Sequence, residues 1–262
     1  MIDFHNHLVP GVDDGAASLD ESRAALAAYR AQGVEAVVAT PHLKASLADT
    51  PAALDEYLAE VDAAWASLHA LAAAEFPGMR LERGFEVMLD TPAPRLGDPR
   101  LRLAGTSFVL VEFPFMSVPP NAENTLFELK VSGWTPVIAH PERYANADAE
   151  GHAAAGWKRV GALLQVNAGS VLGKYGPEAR DRAWKLLGQG MADFVASDYH
   201  ARGTLHLGPA REVLARAAGG DTQVRLLMDE NPARLLAGEG PLPVPALRRR
   251  RRSFWGRLFG GR

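Results

Sequence analysis

Seven short apolar runs punctuate the chain, and most are continuous rather than alternating. They span roughly Met1–His5, Val34–Thr40, Arg80–Val87, Phe108–Phe113, Thr135–Ala139, Ala162–Asn167 and Asp193–Ser197. Continuous runs of this length are the pattern of parallel strands covered on both faces. The segments between them carry helix signals. Ser18-Leu19-Asp20-Glu21 is a capping box, and Gly33 closes the helix that follows. Thr50-Pro51 opens an Ala/Leu-rich helix running to about Glu75, with Pro51 at the first helical position, where an N–H would have no intrahelical partner. Pro177 opens a further helical segment, closed by Gly188 and Gly190. This alternation predicts βαβ units and an α/β fold, either a barrel or an open doubly wound sheet. A dinucleotide-binding sheet is disfavoured, because His5-Asn6-His7 stands where a glycine-rich turn would follow the first strand.

The polar residues best suited to metal binding fall at the ends of these runs. His5 and His7 end the first, His42 follows the second, Glu86 ends the third, Glu112 the fourth, and His140 the fifth. Asp198 and His200 end the seventh, and Asp13 and Asp14 sit in the loop after the first. In a parallel barrel the strand C-termini open on one face, which hosts the active site. Each element alone is weak: a His-x-His is usually incidental, and Glu82 competes with Glu86. The coincidence carries the weight, since five of the eight histidines fall at strand ends. Burying so many carboxylates is costly unless cations accompany them. Nine ligands (His5, His7, Asp14, His42, Glu86, Glu112, His140, Asp198 and His200) exceed one tetrahedral ion and suit two or three. His69, His152 and His206 lie in helical or loop segments and read as surface or packing residues.

Composition narrows the chemistry. There is no cysteine, so disulfides, thiolate metal sites and a cysteine-nucleophile mechanism are excluded. The N-terminus lacks a basic segment followed by an apolar one, and no stretch approaches the ~20 apolar residues of a bilayer span. The expected location is therefore cytoplasmic. A net charge of −3 hides an asymmetry: residues 248–262 contain seven arginines and no acid, so the preceding body is distinctly acidic. An acidic body disfavours nucleic acid as a partner, and with it a nuclease reading.

The stretch from Met1 through His5-Asn6-His7 to Pro10-Gly11-Val12-Asp13-Asp14-Gly15 resembles the opening of the polymerase-and-histidinol-phosphatase (PHP) superfamily. The Pro-Gly-Val-Asp-Asp-Gly part is similar to its bacterial capsular-polysaccharide branch, which comprises manganese-dependent protein-tyrosine phosphatases. Further matches are Ala39-Thr40-Pro41-His42, Gly84-Phe85-Glu86, Val111-Glu112-Phe113, His140-Pro141-Glu142-Arg143-Tyr144, Ala196-Ser197-Asp198-Tyr199-His200 and Glu230-Asn231-Pro232. The resemblance covers residues 1 to about 237. It implies a distorted seven-stranded (β/α) barrel with the metal site at the C-terminal ends of the strands. It assigns His5, His7, Glu86 and Asp198 to one ion, Glu86, Glu112 and His140 to a second, and Asp14, His42 and His200 to a third. Manganese is implied by the resemblance alone; iron or zinc would also suit these ligands. The departures, Phe85 before the glutamate and Pro141 in the His-x-Glu-Arg motif, remove no ligand.

The expected activity is phosphomonoester hydrolysis, with His42, Asp198 and Arg143 as catalytic residues. Arg143 would clamp the phosphate through its planar fork, and Arg202 is a further candidate for that contact. The resemblance implies a phosphotyrosine substrate on the tail of a bacterial tyrosine kinase, in capsule or exopolysaccharide biosynthesis. Tyrosinate, with a parent pKa near ~10, departs without strong acid assistance. The alternatives are a small-molecule phosphomonoesterase such as a histidinol phosphatase, and a non-catalytic membrane-tethered scaffold. Phe115, Met116 and Pro119-Pro120 are the candidates to line the mouth. Residues 1–240 read as the PHP-type barrel and 241–262 as a Pro-rich linker with an Arg-rich aromatic tail. Arg248–Arg252 with Phe254 and Trp255 suit an anionic membrane surface, which would make the protein peripheral at the inner face of the cytoplasmic membrane.

Overall fold

The computed structural model describes residues 1–147, 151–217 and 219–247. The membrane-docking expectation for Arg248–Arg252, Phe254 and Trp255 lies outside the described residues. Among those residues the strands are β1 Ile2–Asp3, β2 Ala36–Ala39, β3 His42–Lys44, β4 Arg80–Arg83, β5 Glu86–Met88, β6 Phe108–Glu112, β7 Thr135–Ala139, β8 Leu163–Asn167 and β9 Phe194–Ala196. The helices are α1 Leu19–Ala31, α2 Pro51–Glu75, α3 Ala122–Val131, α4 His152–Arg159, α5 Ala168–Leu172, α6 Pro177–Gly188, α7 Leu207–Ala215, α8 Gly220–Arg225 and α9 Asn231–Leu236. Ser18 caps α1 by accepting from the Glu21 amide, while the Glu21 carboxylate reaches back to the Ala17 N–H. None of these helices is long and apolar enough to cross a membrane.

All strand pairs are parallel, and they form two sheets: β1-β2-β4, and β3-β5-β6-β7-β8-β9. This is the expected parallel α/β architecture, with the strands divided between two sheets. The third predicted run breaks into β4 and β5, and the second, which holds β2, is followed by the separate short strand β3. Pro41 has no N–H to give a ladder, which interrupts the line from β2 to β3. At Gly84, between β4 and β5, an added Cβ would lie 2.8 Å from the Leu103 side chain. Backbone bonds bridge the break, Gly84 N–H to Ala39 C=O at 2.9 Å and Glu86 N–H to Pro41 C=O at 3.1 Å. At the other seam, the Asp198 N–H bonds the His5 carbonyl at 2.8 Å and the His7 N–H bonds the Tyr199 carbonyl at 2.9 Å.

Two apolar clusters form the core. Phe4, Val38, Leu110, Val137 and Phe194 come from five strand lines and pack together, with Phe4 and Phe194 edge to face at 5.0 Å. The larger cluster lies between the strands and the helices and includes Tyr29, Leu58, Phe113, Trp157 and Leu187. Burial of these large side chains supplies most of the driving force for folding. The Pro-rich segment, expected as a linker, runs against the body as far as residue 247. Asn231 exchanges two hydrogen bonds with the backbone of Leu242, the Leu247 N–H bonds the Leu187 carbonyl at 2.9 Å, and Leu247 is 1% exposed.

Candidate metal centre

The strand ends bring all nine expected ligands to one place. Register sets part of this: His42 pairs with Glu86 across β3 and β5, and Met88 pairs with Glu112 across β5 and β6. His5 Nε2 lies 3.1 Å from Glu86 Oε2 and 3.3 Å from Asp198 Oδ1. His7 Nε2 is 3.4 Å from each of the same two atoms. These four residues form one group whose ligand atoms lie within 4.8 Å of one another. His42 with Glu86 and Glu112 forms a second, and His7, Asp14, His42 and His200 a third. In the third, the His42 and His200 Nε2 atoms each lie 3.4 Å from Asp14 Oδ1. His140 Nε2 stands 3.1 Å from Glu86 Oε1 and 3.8 Å from Glu112 Oε2. The grouping thus differs in detail from the expected one: His7 faces two groups, and His42 stands beside Glu86 and Glu112 together with His140.

The fit to cations rests on atoms without partners. His5 Nε2, His7 Nε2, His42 Nδ1 and Glu86 Oε2 are buried and make no hydrogen bond. They converge, since Glu86 Oε2 is 3.1, 3.4 and 3.3 Å from the three imidazole nitrogens. Buried polar atoms are nearly always satisfied, and orphans that face one another mark a place for an ion. Nitrogen and carboxylate donors with no sulfur suit manganese, iron or zinc.

Electrostatics agree. Burial alone would lower the His5 pKa, but the charges of Glu86 and Asp198 reverse this and raise it to about 9. His7 is raised well above its ordinary value against burial, by Asp13, Asp198 and Glu86. Burial and the neighbouring Glu86 charge push Glu112 up to about 8. Glu86 and Asp198 are held low by the surrounding imidazoles despite burial. The cluster therefore draws positive charge strongly.

Residues outside the nine expected ligands hold this shell in place. Asp13, next to the expected ligand Asp14, bonds His7 Nδ1 at 2.7 Å and accepts from the His42 and Gly15 amides. Gln165 Oε1 bonds His5 Nδ1 at 2.8 Å, Gln165 donates to Asn167 Oδ1, and Asn167 donates to Asp198 Oδ2 at 2.8 Å. Strand β8 thus offers no ligand of its own but ties two of them together. Its signal in the sequence is two amides, two residues apart, inside an apolar run. Fixing one ring nitrogen of each histidine directs the other toward the centre. Gly15 passes so close beneath His7 that an added Cβ would fall 2.1 Å from the His7 carbonyl oxygen. His140 and Asp198 have left-handed backbones, with φ of 37° and 53°, a strained geometry common at functional sites.

The arginines sit on either side. Arg143 donates to Asp198 Oδ2 at 2.7 Å and lies 4.3 Å over the Tyr175 ring. Arg202 donates to the Gly15 carbonyl at 3.0 Å, which braces the loop carrying Asp13 and Asp14. Glu82, the rival of Glu86, pairs with Arg80 at 2.9 Å, whereas Glu86 is fully buried in the cluster. A cavity of about 730 Å³ opens against Asp14, His42 and Glu112. Phe115 and Met116 line it as expected, together with Leu43, Leu47 and Tyr57; Pro119 and Pro120 are not part of its lining. Its size suits a ligand of several ring systems or a short peptide.

The chain is similar to known proteins over nearly its whole length. The chain is 32% identical to tyrosine-protein phosphatase YwqE of Bacillus subtilis (strain 168), over 98% of this chain and 99% of the relative. It is 27% identical to tyrosine-protein phosphatase CpsB of Streptococcus pneumoniae, over 90% of this chain and 98% of that one. A crystal structure from work on YwqE and CpsB, described there as metal-dependent tyrosine phosphatases, superposes with a TM-score of 0.78 at 29% identity. That match covers 96% of this chain and 100% of the other. The model of the capsular polysaccharide synthesis family CpsB/CapC matches residues 1–237, a span that holds every candidate ligand, and the chain belongs to that family.

Proposed function

We propose that the protein is a metal-dependent protein-tyrosine phosphatase that removes phosphate from a bacterial tyrosine kinase in capsule or exopolysaccharide biosynthesis. The observation that carries the reading is the convergence of His5, His7, His42 and Glu86 through buried, unpartnered atoms. One ion would take His5, His7, Glu86 and Asp198. A second would take Glu86, Glu112 and His140 with His42 beside them, and a third Asp14, His42 and His200 with His7. Manganese is the expected metal. When bound, such ions lower the pKa of a water toward neutrality and offset phosphate charge.

The chain's own groups bind and orient. Arg143 is held by Asp198 on one side and by the Tyr175 face on the other, so its fork is presented in a fixed plane to phosphate oxygens. Arg202, anchored on the Asp13–Gly15 loop, is the second candidate for that contact. No side chain is needed to protonate a tyrosinate leaving group, whose pKa lies near ~10. The hydrogen bonds between the His5–His7 and Asp198–Tyr199 segments support reading the two sheets as a distorted seven-stranded barrel. The setting is cytoplasmic, and a kinase tail rich in tyrosine is the expected partner.

The test sets a phosphotyrosyl peptide beside histidinol phosphate, after chelation and after Mn²⁺ is restored. The account expects Mn²⁺-dependent turnover that favours the peptide. A preference for histidinol phosphate would keep the site and replace the substrate. No turnover of either with any metal would leave the non-catalytic scaffold.

A further inference from the structure

We propose that Phe115, with Met116, forms a preset aromatic lip that receives the ring of an aryl phosphate, so that Phe115 determines aryl over alkyl specificity. The inference rests on the phosphatase reading and names the part of the substrate that the cavity recognises. The chain leaves β6 at Glu112, buries Phe113, and then turns outward through Pro114. Phe115 and Met116 both have left-handed backbones, with φ of 54° and 50°. Phe115 is 97% exposed. A bulky residue in this conformation is strained, and an exposed phenyl ring gains nothing from the core. Neither feature is explained by packing.

The loop is nevertheless held rigidly. The Ser117 N–H bonds the Pro114 carbonyl at 3.1 Å, and the Ala145 N–H bonds the Met116 carbonyl at 2.9 Å. Asn146 accepts from the Val118 N–H at 2.7 Å and donates to its carbonyl at 2.9 Å. These bonds tie the backbone of the lip to the segment just after Arg143, so the Phe115 backbone and the arginine belong to one hydrogen-bonded unit. Phe115 and Met116 share a cavity with His42, Asp14 and Glu112, where the phosphate would lie, and with the apolar side chain of Leu43. A phosphate ester bound at those ligands would have its organic group extending along this apolar wall. A phenyl ring gains stacking and apolar contact there, whereas a short polar alkyl group gains little. A fixed strained lip avoids the ordering cost that a mobile loop would incur on binding.

The experiment measures dissociation constants for benzylphosphonate and methylphosphonate in the metal-loaded protein, by calorimetry, for wild type, Phe115→Ala and Phe115→Trp. Turnover of phosphotyrosine, a phosphotyrosyl peptide and phosphoserine is followed in parallel. Wild type should bind benzylphosphonate about tenfold more tightly than methylphosphonate, a preference abolished in Phe115→Ala and retained in Phe115→Trp. KM for free phosphotyrosine and for the peptide should rise by the same factor in Phe115→Ala, with kcat little changed and phosphoserine unaffected. An aryl preference that survives in Phe115→Ala would overturn the proposal. So would an effect on the peptide alone, which would place the contact at a flanking residue. A wild type that shows the preference but hydrolyses none of the substrates would sink the phosphatase reading and leave the aryl site standing.

Discussion

Asp3 and His5, two residues apart at the start of the chain, head two buried polar clusters with opposite character. The Asp3 carboxylate accepts from the Ser197 N–H at 2.8 Å, the Ser197 hydroxyl at 2.7 Å and the Tyr29 hydroxyl at 2.6 Å. Its oxygens are satisfied by the chain itself, and the network pins β1 against β9 and α1. His5, in contrast, spends Nδ1 on Gln165 and leaves Nε2 facing carboxylates without a hydrogen bond. Burial of an acid or imidazole is therefore not what marks the functional cluster. The mark is burial in which donors and acceptors stay open toward a common point.

The comparison can be broken or sharpened by substitution. Asp198→Ala and His42→Ala should give the largest effect, a fall in phosphotyrosyl-peptide turnover of about 10³-fold or more with the circular dichroism spectrum preserved. Wild-type-like activity in either would remove the distinction between the clusters. Asp3→Ala should act on the other side of the divide. It takes the acceptor from the Ser197 N–H and leaves the Ser197 and Tyr29 hydroxyls only each other and the longer bond to the His5 carbonyl, so denaturant unfolding should show a loss of about 3 kcal/mol, the same in chelated and metal-loaded protein. Gln165→Ala should weaken metal affinity about 10- to 100-fold in a competition titration while changing stability less than Asp3→Ala does. Leu247→Ala, on the docked C-terminal segment, should cost about 2 kcal/mol or less in stability and leave metal content and turnover unchanged.

Much of this was legible in the sequence because parallel strands write themselves as apolar runs and their C-termini as abrupt polar residues. His5, His7, Glu86, Glu112, His140 and Asp198 stand out for that reason, and the run boundaries at Thr135–Ala139 match β7 as read. The breaks at Pro41 and Gly84 were not legible as sheet boundaries, since the apolar pattern continues across Phe85. β3 was missed because His42-Leu43-Lys44 is too short to show a period. The role of Asp13 was hidden by its neighbour Asp14, chemically identical but 67% exposed at the outer group. Gln165 and Asn167 carry no charge and so announce no chemistry, and their function appears only when their partners are seen. The left-handed backbone of His140 follows from its surroundings and not from its residue type. The packing of residues 241–247 was equally invisible, because a proline-rich stretch reads alike whether it is free or docked.

The most direct test of the central claim counts the ions. Elemental analysis of the purified protein, before and after exhaustive chelation, is paired with phosphotyrosyl-peptide turnover on the same samples. The account predicts two or three divalent ions per chain, loss of turnover as they are removed, recovery on Mn²⁺ addition, and substoichiometric metal in Asp198→Ala. Undiminished turnover in protein shown to hold no metal would contradict it.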